Sequence, residues 1–308
     1  MLLFSEQQVR ELAGVDEVIR AIRAAFARDF TKTLHMPVRT SLTLEEGGVL
    51  LLMPARDSAI GYAGVKLVTV TRARGVNAAY ELLDAKSGKI LARMEANWLT
   101  DLRTAATSAV ATDLLARSDA KTLGIFGSGR QGSAHLALLP RVRGFNRFLV
   151  CGPPGADLGP FCARMKQEHG IAVEPVDAAT CASESDVICT CTTSPTPVFD
   201  GRLLKPGTHL NLVGAFQPET REVDDETMRR SRIVVDTYEG ALAEAGDLLI
   251  PLQNGIIRRE QIVGDLHEIA CGNKQGRTNA EEITLFKSVG CALEDLVAAK
   301  LVYERARA

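Results

Sequence analysis

The chain has 308 residues, of which 46% are hydrophobic and 24% charged, and its formal net charge is −2 at pH 7. These are ordinary values for a soluble globular protein, and the length suggests two domains or one large one. The near-neutral charge gives no indication of a nucleic acid or an anionic membrane as a partner. No apolar run approaches the ~20 residues that a membrane-spanning helix needs.

The N-terminus has neither the basic region nor the long apolar stretch of a signal peptide. The seven cysteines are odd in number and contain no C-x-x-C pair; they are Cys151, Cys162, Cys181, Cys189, Cys191, Cys271 and Cys291. Reduced, mostly buried thiols are the simplest interpretation. We therefore expect a cytoplasmic protein.

The first 95 residues read as helices followed by a run of strands. Ser5 and Gln8 have the spacing of a capping box, and apolar residues between Val18 and Phe26 recur with a helical period. Strands are predicted at 49–53, where Pro54 ends the pattern, and at 63–70, 78–83 and 90–94. Consecutive strands without helical crossovers predict an α+β domain with an antiparallel sheet.

After a helix predicted at 99–117, strands alternate with helical segments. The predicted strands are 123–126, 147–151, 171–175, 186–192, 208–214 and 232–236. This order is typical of a Rossmann-type, doubly wound dinucleotide domain, so the fold class is α/β. One long helix is predicted over 281–307, returning to the first domain. The predicted domains are therefore 1–118 plus 291–308, for substrate binding and dimerisation, and 119–290, for NAD(P).

The strand at 123–126 leads directly into a glycine-rich turn, and an apolar helical segment follows it. The turn has the full G-x-G-x-x-G spacing with glycines at 127, 129 and 132. Gly127 permits the sharp turn, Gly129 the close approach of a pyrophosphate, and Gly132 the packing of helix on strand. The helix N-terminus then offers free N–H groups to the phosphates. A purely structural glycine loop is the alternative, which the flanking strand and helix disfavour.

The choice between NAD and NADP stays open. An acid usually ends the second strand of such a domain and binds the ribose 2′-OH of NAD. The matching position lies near Gly152, and no Asp or Glu is found there. No arginine follows at once either, so NADP is not positively indicated.

Three cations stand out in the first domain. Lys66 lies in the middle of an apolar strand, where a charge is costly unless it has a partner. A substrate carboxylate is one such partner, and water at a sheet edge is the alternative. Arg39 and Arg103 offer bidentate recognition of a carboxylate or phosphate, or are surface residues. The five histidines show no metal-ligand spacing, and we predict no metal site.

Seven stretches resemble the ornithine cyclodeaminase/mu-crystallin family over almost the whole chain. They are MPVRTSL (36–42), LLLMPA (50–55), GVKLVTV (64–70), LTDLRTAATSA (99–109), GSGRQG (127–132), NLVGAFQPETREVDDE (211–226) and EITLFKSVGCALEDL (282–296). The resemblance implies a homodimer that binds NAD(P) in the middle of the chain and a small imino or amino acid in the terminal segments.

The same resemblance implies roles for individual residues. Arg39 and Lys66 match residues that bind the substrate carboxylate, and Arg103 matches an arginine shared between substrate and nicotinamide. The predicted cofactor contacts, in addition to the three turn glycines and Arg103, are Arg130, Gln131, Gly152, Thr192, Val213, Gly214 and Val289.

Two departures from the family pattern bear on the reaction. Members that cyclise ornithine have a glutamate where this chain has Leu51, and a catalytic aspartate where it has Phe216. Phe216 would instead wall the substrate pocket. We therefore predict an NAD(P)H-dependent reductase of a cyclic imine alpha to a carboxylate, with Lys66 or a bound water as the proton source. An ornithine cyclodeaminase and an NADP-dependent small-ligand-binding protein of the crystallin type remain alternatives.

Overall fold

The chain folds into two compact units in a computed structural model that describes residues 1–71, 73 and 75–308. Unit 1 contains residues 1–107 and 290–308, and unit 2 contains residues 108–289. The first change of unit falls inside the helix Asn97–Leu115. The boundary at residue 118, which the sequence suggested, lies beyond the end of this helix.

In the described part of unit 1, seven strands form one sheet. They are β1 (Leu2–Phe4), β2 (Leu34–His35), β3 (Thr40–Thr43), β4 (Val49–Asp57), β5 (Tyr62–Thr71), β6 (Gly75–Asp84) and β7 (Ile90–Glu95). Their order is β1-β7-β6-β5-β4-β2, with β3 also paired to β4. The predicted antiparallel sheet is confirmed, apart from the parallel pair of β1 with β7.

The helices of unit 1 come from both ends of the chain. They are α1 (Glu6–Leu12), α2 (Val15–Phe26), the first part of α3 (Asn97–Leu115) and the last helix, α11 (Ala292–Arg305). The capping box at α1 is confirmed: the Ser5 hydroxyl accepts from the Gln8 N–H, and the Ser5 N–H donates to the Gln8 side chain. The predicted apolar face of α2 is buried. Helix α11 packs against α2 and against β4, β5 and β6.

Strand β4 continues through Pro54 to Asp57, so the predicted end at the proline is wrong. On its outer side, β4 pairs with β3 as far as Leu52 and with β2 from Arg56 onwards. Pro54 lies in the gap between these two pairings, where a missing N–H removes no ladder hydrogen bond on that side.

Unit 2 is built on a parallel eight-stranded sheet, within the residues that the structure describes. The strands are β8 (Thr122–Phe126), β9 (Arg147–Cys151), β10 (Glu174–Pro175), β11 (Val187–Thr190), β12 (His209–Leu212), β13 (Ser231–Val235), β14 (Ile262–Asp265) and β15 (Ile283–Lys287). Their order is β10-β9-β8-β11-β12-β15-β13-β14. The first five places have the 3-2-1-4-5 order of a doubly wound dinucleotide fold, so the predicted Rossmann-type α/β class is confirmed.

Helices connect these strands. They are α4 (Arg130–Leu138), α5 (Gly159–His169), α6 (Ala178–Glu184), α7 (Asp225–Arg230), α8 (Tyr238–Glu244), α9 (Gly246–Gln253) and α10 (Leu266–Ala270). No helix of the described residues is both long and apolar enough to cross a membrane.

The prediction of one long helix over 281–307 is wrong. Residues Ile283–Lys287 form β15, a strand between β12 and β13, and only Ala292–Arg305 is helical. The strand is buried on both faces, so its apolar residues do not alternate with exposed ones. Such a pattern does not distinguish a short strand from a buried helix. Gly290, with φ +82°, turns the chain before α11 begins.

Candidate functional site

The glycine turn of unit 2 joins β8 to α4. Gly127 has φ +105°, and a Cβ atom at this position would lie 2.5 Å from the carbonyl oxygen of Cys191. A Cβ atom at position 132 would lie 2.2 Å from the carbonyl oxygen of Gly127. At Gly129, the N-cap of α4, a Cβ atom would meet nothing within 4 Å. Two of the glycines therefore allow close packing, and the third borders open space at the start of the helix.

This open space belongs to a groove of about 920 Å³. Its lining comes from the glycine turn, the segment after β9, the start of α6 and the segment after β11; it includes Gly127, Gly129, Gly152, Asp177 and Thr192. Parallel strands place their carboxyl ends at one edge of the sheet, where doubly wound folds bind ligands. The bare backbone at Gly129 and the N–H groups that begin α4 fit a dinucleotide pyrophosphate.

The other predicted cofactor residues of unit 2 lie at or near the same sheet edge, whereas Arg103 belongs to unit 1. Arg130 and Gln131 are the first two residues of α4. Val213 and Gly214 follow β12, and Val289 follows the adjacent strand β15. The Val289 N–H donates to the Asp236 carboxylate at 2.7 Å.

The sequence reasoning missed a buried carboxylate that ties two strand ends together. Glu222 accepts hydrogen bonds from the Thr190 hydroxyl, from the N–H and hydroxyl of Thr192, and from the N–H groups of Gly214 and Ala215, at 2.7 to 3.2 Å. It thereby holds the segments after β11 and β12 in fixed positions. Two of the predicted cofactor residues, Thr192 and Gly214, are among its donors.

A second buried acid supports this arrangement. Asp247 accepts from the N–H groups of Glu222 and Val223, and its other oxygen pairs with Lys287 at 2.9 Å. The Lys287 ammonium also donates to the carbonyl of Ala215 at 2.6 Å. Burial, and then the charge of Asp247, raise the pKa of Glu222, whereas Lys287 and the hydroxyl donor Thr190 act in the opposite direction.

Unit 1 contains a buried cluster of two cations and two acids. The Lys66 ammonium lies 2.8 Å from one carboxylate oxygen of Asp295, and Arg103 Nε lies 3.0 Å from the same oxygen. Arg103 also donates to Glu294 at 2.6 Å. Each of the four side chains is at most 6% exposed. Their formal charges cancel, so the cluster is neutral.

Local structure positions this cluster. Lys66 is in the middle of β5 and Arg103 in α3, and the two acids are adjacent residues of α11. A Cβ atom at Gly290 would lie 2.5 Å from the Arg103 guanidinium. The glycine before α11 therefore leaves the space that the guanidinium occupies.

The environment moves the pKa values of both cations. Burial, followed by the charge of Arg103, lowers the pKa of Lys66 to about 8, although Asp295 acts in the opposite direction. For Arg103 burial also acts against the charge, but the carboxylates of Asp295 and Glu294 outweigh it, and its pKa is raised. One oxygen of Asp295 and the hydroxyl of Tyr80 are buried without a hydrogen-bond partner.

The face of the sheet that carries Lys66 also carries other residues of interest. Across the strands, Lys66 lies opposite Met53 in β4 and Tyr80 in β6. The β3–β4 register, extended by one residue, brings Arg39 into line with Met53. Cross-strand partners share a face, and so do alternate residues of one strand. Buried Leu51, two residues before Met53, is therefore on the face of Lys66 as well.

The partner expected for Lys66 was a substrate carboxylate, whereas the structure pairs Lys66 with Asp295 of the protein itself. The alternative, a lysine reaching water at a sheet edge, is wrong, because β5 is internal and Lys66 is 1% exposed. Glu294 and Asp295 were not recognised as site residues. The signal was present as two adjacent acids among apolar residues in GCALEDLVAA.

The remaining predictions concern Phe216, the cysteines and a metal site. Phe216 is half-buried in unit 2, two residues after Gly214. The seven cysteines are free thiols, four of them buried. Among the described residues, no group of three or more His, Cys, Asp or Glu side chains is arranged to hold a metal ion.

Comparison with known proteins gives matches along the full chain. The sequence profile of the ornithine cyclodeaminase/mu-crystallin family matches residues 1–308. A Delta(1)-pyrroline-2-carboxylate reductase of Bacillus cereus is 35% identical over 318 residues, covering 99% of this chain and 97% of the relative.

Solved structures are similar over the same length. The Thermococcus litoralis Delta(1)-pyrroline-2-carboxylate reductase, in complex with NADH and L-proline, is 38% identical, with a TM-score of 0.96 over 100% of this chain and 98% of that chain. An archaeal alanine dehydrogenase dimer with bound NAD is 31% identical, with a TM-score of 0.93 and coverage of 100% and 96%.

Proposed function

Because the chain belongs to the ornithine cyclodeaminase/mu-crystallin family, we propose that it is an NAD(P)H-dependent oxidoreductase acting on a CH–NH group. Its substrate is a cyclic imino acid of the pyrroline-2-carboxylate type, whose C=N bond it reduces. The observation that carries this assignment is the pair of neighbouring buried cations, Lys66 in β5 and Arg103 in α3, with Leu51 on the sheet face of Lys66 at the position where ornithine-cyclising members have a glutamate. Full-length similarity to pyrroline-2-carboxylate reductases supports it.

Three cations hold the substrate carboxylate in this proposal. Lys66 and Arg103 are already balanced by Asp295 and Glu294. Arg39 is in line with Lys66 across the sheet. Guanidinium and ammonium groups suit a carboxylate as hydrogen-bond donors.

The residues at the carboxyl edge of the unit 2 sheet hold the dinucleotide. The turn glycines, with Arg130 and Gln131, would take the pyrophosphate at the start of α4; the other contacts from unit 2 would be Gly152, Thr192, Val213, Gly214 and Val289. The reduced nicotinamide supplies the hydride when it is bound. Phe216 gives the substrate pocket an apolar wall, which suits a ring better than a second amino group.

Reduction of a C=N bond needs a proton on nitrogen as well as a hydride on carbon. Lys66 supplies that proton from Nζ, directly or through a water molecule. Its pKa of about 8 keeps it protonated at neutral pH and makes it a better acid than an ordinary lysine. Asp295 positions the ammonium by the 2.8 Å hydrogen bond.

The function is tested by following NADH and NADPH absorbance at 340 nm with pyrroline-2-carboxylate and piperideine-2-carboxylate. We expect imine-dependent oxidation of the cofactor. Two further assays are run in parallel. One follows ammonia release from ornithine with NAD⁺, and the other follows cofactor oxidation with pyruvate and ammonia. Ammonia from ornithine without turnover of either imine would replace this proposal by a cyclodeaminase, and turnover of pyruvate alone by an alanine dehydrogenase.

The pH profile follows from the lowered pKa of Lys66. Its ammonium is present below pH 8 and is lost above it, so both the carboxylate contact and the proton are lost together. We expect kcat/KM to fall about tenfold per pH unit above pH 8. The titration of the imine is recorded in the same buffers as a control. A profile that stays flat between pH 7 and 9.5 would remove Lys66 from the proton step.

We further propose that the protein is a cytoplasmic homodimer. The archaeal alanine dehydrogenase that it resembles was crystallised as a dimer, and free thiols suit a reducing compartment. Light scattering after size-exclusion chromatography is expected to give twice the mass of one chain.

A further inference from the structure

The groove of unit 2 contains one charged residue among those that line it, within the described part of the chain, and this residue is Asp177. The remaining lining is glycine, proline, apolar residues, cysteine, serine and threonine; the Arg130 side chain is not part of it. We propose that Asp177 makes this groove select NADH over NADPH. The inference rests on the proposed function and decides the cofactor choice that the sequence left open.

Asp177 lies beside the position at which dinucleotide folds make this selection. Strands β9 and β10 are parallel, with Pro175 opposite Val150, and the Val176 N–H donates to the Val150 carbonyl at 2.9 Å. Continuing this register, Asp177 stands beside Gly152. In dinucleotide folds an acid at the end of the second strand binds the ribose 2′-OH. Here β9, the second strand, has no such acid at its end. Asp177, which follows the neighbouring strand β10, supplies one instead.

The Asp177 carboxylate is fixed and ionised. As the N-cap of α6 it accepts from the Thr180 N–H at 2.8 Å and from the Thr180 hydroxyl at 3.2 Å. These hydrogen bonds lower its pKa. The cap also satisfies the N–H group that α6 would otherwise offer to an anion.

NADH and NADPH differ at the 2′ position of the ribose that Asp177 faces. NADPH carries a 2′-phosphate with a charge between −1 and −2, and no lining side chain offers it a cation. It would meet a carboxylate instead, which repels it. NADH carries a neutral 2′-hydroxyl, which donates to a carboxylate. The same residue therefore disfavours one cofactor and accepts the other.

The test measures binding by titration calorimetry on the full chain, without substrate. We expect wild-type protein to bind NADPH at least about tenfold more weakly than NADH. An Asp177→Asn variant keeps a capping oxygen and loses the charge, so it is expected to narrow this ratio about tenfold, mostly by tighter NADPH binding. Asp177→Ser, which also caps and is neutral, should behave in the same way.

Asp265→Asn is the matched control. Asp265 is the N-cap of α10 and accepts from the Glu268 N–H at 2.8 Å, and it does not line the groove. Its replacement removes the same charge from the same kind of position and should leave the ratio unchanged.

The outcomes separate this inference from the proposed function. Equal binding of both dinucleotides by wild-type protein, or an unchanged ratio in Asp177→Asn and Asp177→Ser, would overturn the role of Asp177 and leave the reductase assignment standing. Binding of neither dinucleotide by a folded wild-type protein would overturn both.

Discussion

A Lys66→Met variant is expected to lose about 10³-fold of kcat/KM for imine reduction, measured at pH 7. The change removes a cation that is 1% exposed and hydrogen-bonded to Asp295. Truncating one member of a buried charge pair typically costs about 3–5 kcal/mol. Among the residues that the structure describes, it leaves Asp295 paired with Arg103 alone, so the melting temperature should fall as well.

The loss of stability and the loss of chemistry are separated by a second variant. In Lys66→Met/Asp295→Asn the uncompensated charge is gone, and we expect the melting temperature to return most of the way towards wild type. Activity should not return with it, because the ammonium is still missing. A Lys66→Met protein with normal turnover would contradict the role of Lys66 in both carboxylate binding and proton donation.

Two alanine substitutions in the glycine turn are expected to affect different properties: Gly129→Ala the affinity for NADH, and Gly132→Ala the stability of the fold. In Gly129→Ala the new methyl group meets no protein atom within 4 Å, so we expect wild-type stability. The methyl group would stand where the pyrophosphate approaches the backbone, and NADH affinity should fall about 10- to 100-fold. In Gly132→Ala the methyl group would lie 2.2 Å from the Gly127 carbonyl, and stability should fall by about 2–3 kcal/mol.

Calorimetry with NADH and thermal melts distinguish the two variants. Gly144→Ala is a suitable control, because a Cβ atom there meets only the flexible end of Lys121, at 3.7 Å. It should change neither property. Tight NADH binding by Gly129→Ala would mean that the dinucleotide does not approach this turn.

The glycine turn was predictable because its signal is local. A strand, three spaced glycines and a helix occupy consecutive residues, and the structure has them at 122–138. The same applies to the α1 capping box and to the apolar period of α2. The resemblance to the family, read from motifs, is confirmed along the whole chain.

The strand β15 and the acids of the Lys66 cluster were not predictable in this way. A short, mostly apolar segment that is buried on both faces, such as Ile283–Lys287, fits a strand or a buried helix equally well. Lys66 and Asp295 are 229 residues apart, and Arg103 and Glu294 are 191 residues apart. Periodicity within a window of 10 to 20 residues carries no information on such pairs. The sequence showed that Lys66 needs a partner, but only the fold shows that this partner is Asp295.

The discontinuity of unit 1 has a consequence for how the protein is made. The ribosome adds about 5–20 residues per second, so roughly 10 to 40 s separate the synthesis of Arg103 from that of Glu294. Unit 2, at 108–289, is continuous and is synthesised completely within that interval. The β-sheet of unit 1 meanwhile holds Lys66 without its carboxylate and lacks the cover of α11. The sheet face that carries Lys66 can therefore be covered, and its charge paired with Asp295, only after α11 has been synthesised.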